Sequence, residues 1–274
     1  MRPAIWLVLL ALAGCADLSP QPRWLNAERL AAASGWKKVR LPADNFVLAG
    51  YMPESIKDSD TLTIYIEGDG MAWISESAPS DDPTPRKPVG LELALRHPRG
   101  AAVYLARPCQ FVEGADAHGC TEVYWTNRRF APEVVAATSQ AIDELKQRFH
   151  ARQLALVGYS GGGAVAALVA VRRKDVSLLV TVAGNLDHRA WTRQHHVSPL
   201  AGSLNPADEW EALLPVPQIH FAGGRDHIVG TEIAESYLAH FPAGRHPEMR
   251  VIADFDHACC WAERWPALVN QMFR

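Results

Sequence analysis

The chain has no excess of positive charge. Its 27 Lys and Arg stand against 30 Asp and Glu, giving a formal net charge of −3. Beyond short groups such as Lys37-Lys38 and Arg172-Arg173-Lys174 there is no basic stripe, so nucleic acid is not an expected partner. No internal repeat is visible. Its N-terminal apolar run, Ala4 to Ala13, falls short of the roughly 20 residues that span a bilayer comfortably. Cysteine is scarce, with five residues, and Cys259 and Cys260 are adjacent. Adjacent cysteines do not easily occupy two corners of a tetrahedral zinc site, and His188, His195 and His196 have no ligand spacing to a carboxylate or cysteine. No metal or organic cofactor is implied. What is present is ordinary globular material: 274 residues, 48% hydrophobic and 21% charged, enough for one core and one domain.

The first residues differ from the rest. Arg2 is their only charge, the apolar run follows, and Leu12-Ala13-Gly14-Cys15 closes it. That is the layout of a secretory signal, with small residues before the cleavage point. Leu-Ala-Gly-Cys resembles the bacterial lipoprotein box, which implies a signal peptide over 1–14 and a lipid on Cys15 as the mature N-terminus. A plain signal peptide containing a cysteine is the alternative. Residues 15–23 are polar and proline-bearing, as suits a tether, which leaves 24–274 as the folded domain. The lipoprotein resemblance implies a membrane partner through Cys15. The absence of Asp directly after it implies the outer membrane, facing the periplasm.

Export to an oxidising compartment permits disulfides among the remaining cysteines. Cys109 and Cys120 would close a short, weakly apolar loop, Gln110 to Gly119, and that bridge is the favoured one. Cys259 and Cys260 are left with three readings: a vicinal disulfide, pairing elsewhere, or free thiols.

Trp24 to Ala33 reads as a helix, and Trp36 to Leu41 and Phe46 to Met52 as strands paired across an Asp44-Asn45 turn. Thr61 to Ile66 is a β-branched, apolar run of the kind buried on both faces of a parallel sheet. Met71 to Pro88 is a long loop rich in Ser, Asp and Pro. Further strands are expected at Ala101 to Ala106, Leu154 to Val157, Val176 to Val182, Gln218 to Ala222 and Met249 to Ala253. Helices are expected at Leu91 to His97, Pro132 to Phe149, Gly163 to Val171, Thr231 to His240 and Trp261 to Phe273. This alternation predicts a mostly parallel sheet of about eight strands with helices on both faces. Asn185 to Pro217 has room for a helix or two, so any lid is minimal and the cleft open.

The centre of this arrangement is Gly158-Tyr159-Ser160-Gly161-Gly162, between a strand and a helix. A serine on such a turn projects its hydroxyl above the sheet edge, and small neighbours are needed because side chains would clash. Alone the pattern is weak, recurring by chance about once in ten chains of this length. Its context strengthens it: Gly223-Gly224-Arg225-Asp226 follows one later strand and Asp254-Phe255-Asp256-His257 the last. Serine, acid and histidine fall in that order at strand ends, where open α/β sheets place their sites.

In this order the chain resembles the α/β-hydrolase superfamily from about Trp36 to its end. The resemblance implies Ser160 as nucleophile, His257 as acid and base, and Asp226 orienting the histidine, with Asp256 the competing acid. It places oxyanion donors at the backbone of Gly161 and in Glu67-Gly68-Asp69-Gly70, with Asp69 first and Gly68 or Gly70 next. Many relatives have His-Gly there; a carboxylate so near an oxyanion must point away or be paired. Phrases such as Tyr65-Ile66-Glu67-Gly68-Asp69-Gly70, Arg107-Pro108-Cys109-Gln110 and Asp256-His257-Ala258-Cys259-Cys260-Trp261 resemble those of bacterial α/β-hydrolase lipoproteins, which adds no substrate. The expected function is hydrolysis of a carboxylic ester or related acyl bond in a small molecule. A peptidase or thioesterase shares the machinery, and a non-catalytic envelope binding protein is the alternative from another class. Trp73, Trp125 and Trp261 are expected near the site, as pocket lining or core.

Overall fold

The computed structural model describes residues 22–270, 272 and 273. The signal segment, Cys15 and most of the tether lie outside the described residues. Arg23, placed in the tether by sequence, is instead the first residue of helix α1 (Arg23–Ala33), and its guanidinium reaches back to the carbonyls of Asp82 and Thr84.

Eight strands form one sheet among the described residues. β1 (Trp36–Ala43) and β2 (Phe46–Pro53) make an antiparallel hairpin at one edge. β2 also runs antiparallel to β4 (Ala101–Leu105). From there β3 (Thr61–Ile66), β5 (Gln153–Tyr159), β6 (Val176–Val182), β7 (Gln218–Gly223) and β8 (Glu248–Ile252) are parallel, in the order β1-β2-β4-β3-β5-β6-β7-β8. After β4 the chain crosses back over β3 to start β5, so the sheet changes winding direction between β3 and β5. Crevices at the carboxyl ends of such strands are where α/β sheets bind ligands.

Alternation along the strands divides the core in two. On β5, Leu154 and Leu156 join one cluster, Ala155 and Val157 the other. The first cluster is covered by α3 (Pro132–Arg148) and α4 (Gly161–Val171). The second is covered by α1, α2 (Val89–Leu95) and α8 (Trp261–Val269). The apolar stripe of α3 meets the sheet through Val134, Ile142 and Leu145, as its period requires. Helix α4 is buried nearly all round, which explains why its sequence is almost wholly small and apolar.

Helix ends shift by a residue or two from the expected bounds in several places, and α2 and α8 depart furthest. α2 begins at Val89 rather than Leu91, because the Glu67 carboxylate, in the loop after β3, accepts the Gly90 N–H and caps that end. α8 ends at Val269, short of Phe273. Between β6 and β7 stand only α5 (His188–Gln194), a 3-10 turn and α6 (Trp210–Leu213), so the minimal lid is observed.

Cys109 and Cys120 are joined, as are Cys259 and Cys260 across a cis peptide bond. The first bridge fixes the segment leaving β4, where Gln110 donates to the Gly68 carbonyl at 2.9 Å. The 71–88 loop is fastened by Trp125, whose indole donates to the Ser80 carbonyl, and by Thr84, whose hydroxyl accepts the Phe111 N–H.

Candidate active site

Ser160 sits between β5 and α4 with φ 52° and ψ −122°, in the left-handed region that non-glycine residues avoid. Two anchors hold it there. Its N–H donates to the Val182 carbonyl at the end of β6, and its carbonyl accepts from Asn185 and Gly163. The glycines are a packing requirement: a β-carbon on Gly158 would lie 2.3 Å from the Gly162 carbonyl oxygen.

β7 and β8 are neighbours, so the loops after them run side by side. Arg225 N–H donates to the Phe255 carbonyl and Gly224 N–H to that of Ile252, each at 2.9 Å. This brings Asp226 under His257. His257 Nδ1 is 2.8 Å from Asp226 Oδ2, and His257 Nε2 is 3.0 Å from Ser160 Oγ. The Asp226 carboxylate is fully buried, and its Oδ1 accepts the N–H groups of Ile228 and Val229. With both oxygens occupied, it can receive only the Nδ1 proton, which leaves Nε2 as the acceptor facing serine.

Asp256, the competing acid, turns the other way. Its Oδ1 accepts the Ala258 and Cys259 N–H groups, and these bonds hold its carboxyl below the usual range. Two donors fix the backbone on either side of His257. The Tyr159 hydroxyl donates to the His257 carbonyl at 2.9 Å, and the Trp261 indole to that of Asp256 at 3.0 Å. Trp261 is thus a buried anchor, not part of the cleft wall.

Neither Gly161 N–H nor Asp69 N–H has a hydrogen-bond acceptor among the described residues. Asp69 lines the cleft above Ser160, and Gly161 is the buried first residue of α4, directly after Ser160. Gly68 is not an available donor, since its N–H donates to Glu67 Oε1 at 2.9 Å. Gly70, at φ 66°, turns the chain into the 71–88 loop so closely that a β-carbon would lie 2.1 Å from the Pro83 carbonyl oxygen.

The carboxylate of Asp69 is paired. Arg107 Nη1 is 3.1 Å from one oxygen and Arg129 Nη1 is 2.8 Å from the other. Burial alone would push this carboxyl up, but the two guanidinium groups outweigh it and hold it below the usual value. Beneath it, Glu67 is buried, and desolvation pushes its carboxyl up to about 7. Its Oε1 accepts from Gly68 and Gly90, while Oε2 has no partner of hydrogen-bonding geometry.

The resulting cleft has a volume of about 480 Å³ and includes Trp73, Arg86, Lys87, Arg129, Asn185, Trp191 and Ile228 besides the groups above. Trp125 is buried away from it. Arg129, Asn185 and Trp191 carried no signal in the sequence, as each lies outside the strand-end motifs. Among the described residues no group of three or more His, Cys, Asp or Glu is placed to hold a metal ion. His188 is buried beside Phe130, and His195 meets the Ile228 carbonyl through Nε2.

No family model matches the chain, and no curated protein matches it in sequence. Solved structures do match. An esterase from Pyrococcus furiosus is similar over 86% of this chain and 90% of its own, with a TM-score of 0.60 at 16% identity. An α/β serine hydrolase without lid from Xanthomonas campestris is similar over 86% of this chain and 94% of its own, with a TM-score of 0.54 at 13% identity. An acylaminoacyl peptidase from Pyrococcus horikoshii matches 86% of this chain with 40% of its own, at TM-score 0.57 and 12% identity. The chain therefore has the α/β-hydrolase fold, as its motif order implied. A fold shared by an esterase and a peptidase does not by itself choose a leaving group.

Proposed function

We propose that the protein is a serine hydrolase that cleaves a carboxylic ester or related acyl bond. The observation that carries this reading is the continuous hydrogen-bonded path from Asp226 through His257 to Ser160, opening into a cleft beside two unpaired backbone N–H groups. Ser160 Oγ attacks the acyl carbon as His257 Nε2 takes its proton, and Asp226 stabilises the imidazolium. The negative charge forming on the carbonyl oxygen is received by Gly161 and Asp69 N–H. His257 then protonates the leaving group, and water releases the acyl group from Ser160 by the reverse sequence. Removing one such donor elsewhere lowers kcat by roughly 10²- to 10³-fold.

The proposal includes a lipid anchor at Cys15 holding the domain at the bacterial outer membrane, facing the periplasm. Its support is the Leu12-Ala13-Gly14-Cys15 sequence. Radiolabelled palmitate incorporated by the wild type and not by Cys15→Ser is the expected outcome; equal labelling of both removes the anchor.

The activity is tested by labelling the purified full-length protein with a fluorophosphonate, alongside Ser160→Ala, His257→Ala and a series of 4-nitrophenyl esters. Labelling and turnover that both substitutions abolish are expected. A folded wild type that neither labels nor hydrolyses any ester would overturn the reading.

A further inference from the structure

The charges around the cleft are unequal in a way the catalytic chain does not use. Two guanidinium groups, Arg107 and Arg129, share the single carboxylate of Asp69, so one positive charge is left over beside the oxyanion donors. Arg107 is committed elsewhere, its Nη2 donating to the Arg129 carbonyl. Arg129 is 5% exposed, yet it lines the cleft. Its Nη1 holds Asp69 and its Nε donates to the Thr126 carbonyl, while Nη2 has no acceptor among the described residues.

Three further features converge on it. Asn185, 2% exposed, lines the same cleft, and its Nδ2, the donor end of the amide, has no acceptor among the described residues. Buried amides are ordinarily satisfied, so this donor is placed to meet an acceptor that enters. Arg86 and Lys87 are exposed at the rim. The Trp191 ring lies 6.0 Å from the Arg129 guanidinium carbon and limits its movement. The carboxylates of the cleft offset this charge only in part: Asp69 is already shared, and burial pushes the Glu67 carboxyl up to about 7, so it is partly protonated near neutral pH.

We propose that Arg129, with Asn185 in the same cleft and Arg86 and Lys87 at its entrance, forms a carboxylate-binding subsite, so that the preferred substrate is an ester bearing a free carboxylate. A planar guanidinium with one free nitrogen matches a planar, singly charged carboxylate. A dianionic phosphate would bring more negative charge than the one unbalanced cation offers. The carboxylate sits on either the acyl or the alcohol portion, and the two arms of the test separate these.

The catalytic arm rests on the hydrolase reading above. Mono-4-nitrophenyl adipate is compared with 4-nitrophenyl hexanoate for an anionic acyl group, and 4-carboxyphenyl butyrate with phenyl butyrate for an anionic alcohol, using the full-length protein. One anionic member is expected to exceed its neutral partner in kcat/KM by about tenfold, the scale of one charge-assisted hydrogen bond. Arg129→Gln also loosens the Asp69 brace, so it should lower kcat for both members of a pair alike, and in addition it should erase the ratio between them through KM; a merely structural role would leave the ratio intact. Arg86→Ser/Lys87→Ser, on the exposed rim, should reduce the ratio and its salt dependence even where Arg129→Gln folds poorly. Equal rates for both members of each pair overturn the subsite and leave the hydrolase standing.

The binding arm does not need catalysis. Calorimetry of the Ser160→Ala protein with monomethyl adipate, against methyl hexanoate, and with 4-carboxyphenyl butyrate, against phenyl butyrate, should show tighter binding of one anion. Tight anion binding by a protein that hydrolyses nothing would retain the subsite and remove the hydrolase reading. No preference in either arm overturns the subsite.

Discussion

The Asp69 carboxylate lies against the Cα of Gly161: a β-carbon on Gly161 would stand 2.1 Å from Asp69 Oδ1. This contact joins the two loops that supply the unpaired N–H groups, one after β3 and one after β5. Arg107 and Arg129 hold the carboxylate from its other side, so the spacing of the two donors is set by an ion-pair cluster as well as by the backbone. The carboxylate is therefore a brace between the two loops, its charge balanced by the guanidinium groups on it.

Gly161→Ala should be damaging for this reason. At the first turn of a helix, Gly to Ala ordinarily stabilises by about 0.4–1 kcal/mol through the unfolded chain. Here the added methyl must displace Asp69, and overpacking of this kind costs about 1–3 kcal/mol. A lowered Tm together with at least a hundredfold loss of kcat is expected; a raised Tm with intact activity would contradict the contact.

Asp69→Asn keeps the backbone donor and removes the charge. Two nearly buried guanidinium groups then lose their common partner, which in comparable cases costs about 3–5 kcal/mol. Urea unfolding should show that loss. A change under 1 kcal/mol would mean that Arg107 and Arg129 are solvated or paired in another way.

Asp226 and Asp256 should respond differently to the same substitution. Asp226→Asn replaces the Nδ1 acceptor with a group that can donate, favouring the wrong tautomer, and kcat should fall by about 10⁴-fold with the fold retained. Asp256→Asn keeps an oxygen to accept from Ala258 and Cys259 and should change kcat by less than tenfold. Comparable losses in both would reassign the acid.

The parts of the site on strand ends were legible in the sequence, because buried strands and small-residue turns leave local patterns. Ser160, Asp226 and His257 each follow one. The discomfort of Asp69 was legible too, since a carboxylate near an oxyanion needs a partner. Which partner was not: Arg129 lies 60 residues away, in a run of turns without periodicity, and pairing between distant charges leaves no spacing signal. The start of α2 escaped for a similar reason, its cap being Glu67 from the loop after β3. Trp261 was placed near the right loop, but its role as an anchor depends on which way the ring turns.

The Cys109–Cys120 bridge should stabilise both fold and site. It closes a loop of 11 residues' separation, for which chain entropy gives about 3 kcal/mol. The segment it fixes carries Arg107 and Gln110, which hold Asp69 and the Gly68 carbonyl. Cys109→Ser/Cys120→Ser should lower Tm and weaken kcat more than KM. Unchanged thermal unfolding and kinetics would show that the loop holds without the bond.

Glu67 gives the protein a pH dependence of identifiable sign. Its folded carboxyl titrates near 7 against an ordinary value of 4.5, with burial the leading cause. Between these values the folded state binds more protons than the unfolded one, so this group makes stability fall as pH rises through the window, and its penalty is constant above it. Linkage puts the full effect at about 3 kcal/mol. Carboxyls held low, such as Asp69, act in the opposite sense, so the wild-type profile alone does not isolate Glu67. The difference between wild type and Glu67→Gln does. The glutamine can still accept from Gly68 and Gly90 and carries no charge, so its stability relative to wild type should improve on going from pH 5 to pH 8. Paired denaturant titrations at those two pH values measure this directly. A difference that stays constant would mean that Glu67 titrates in the folded protein as it does in the unfolded chain.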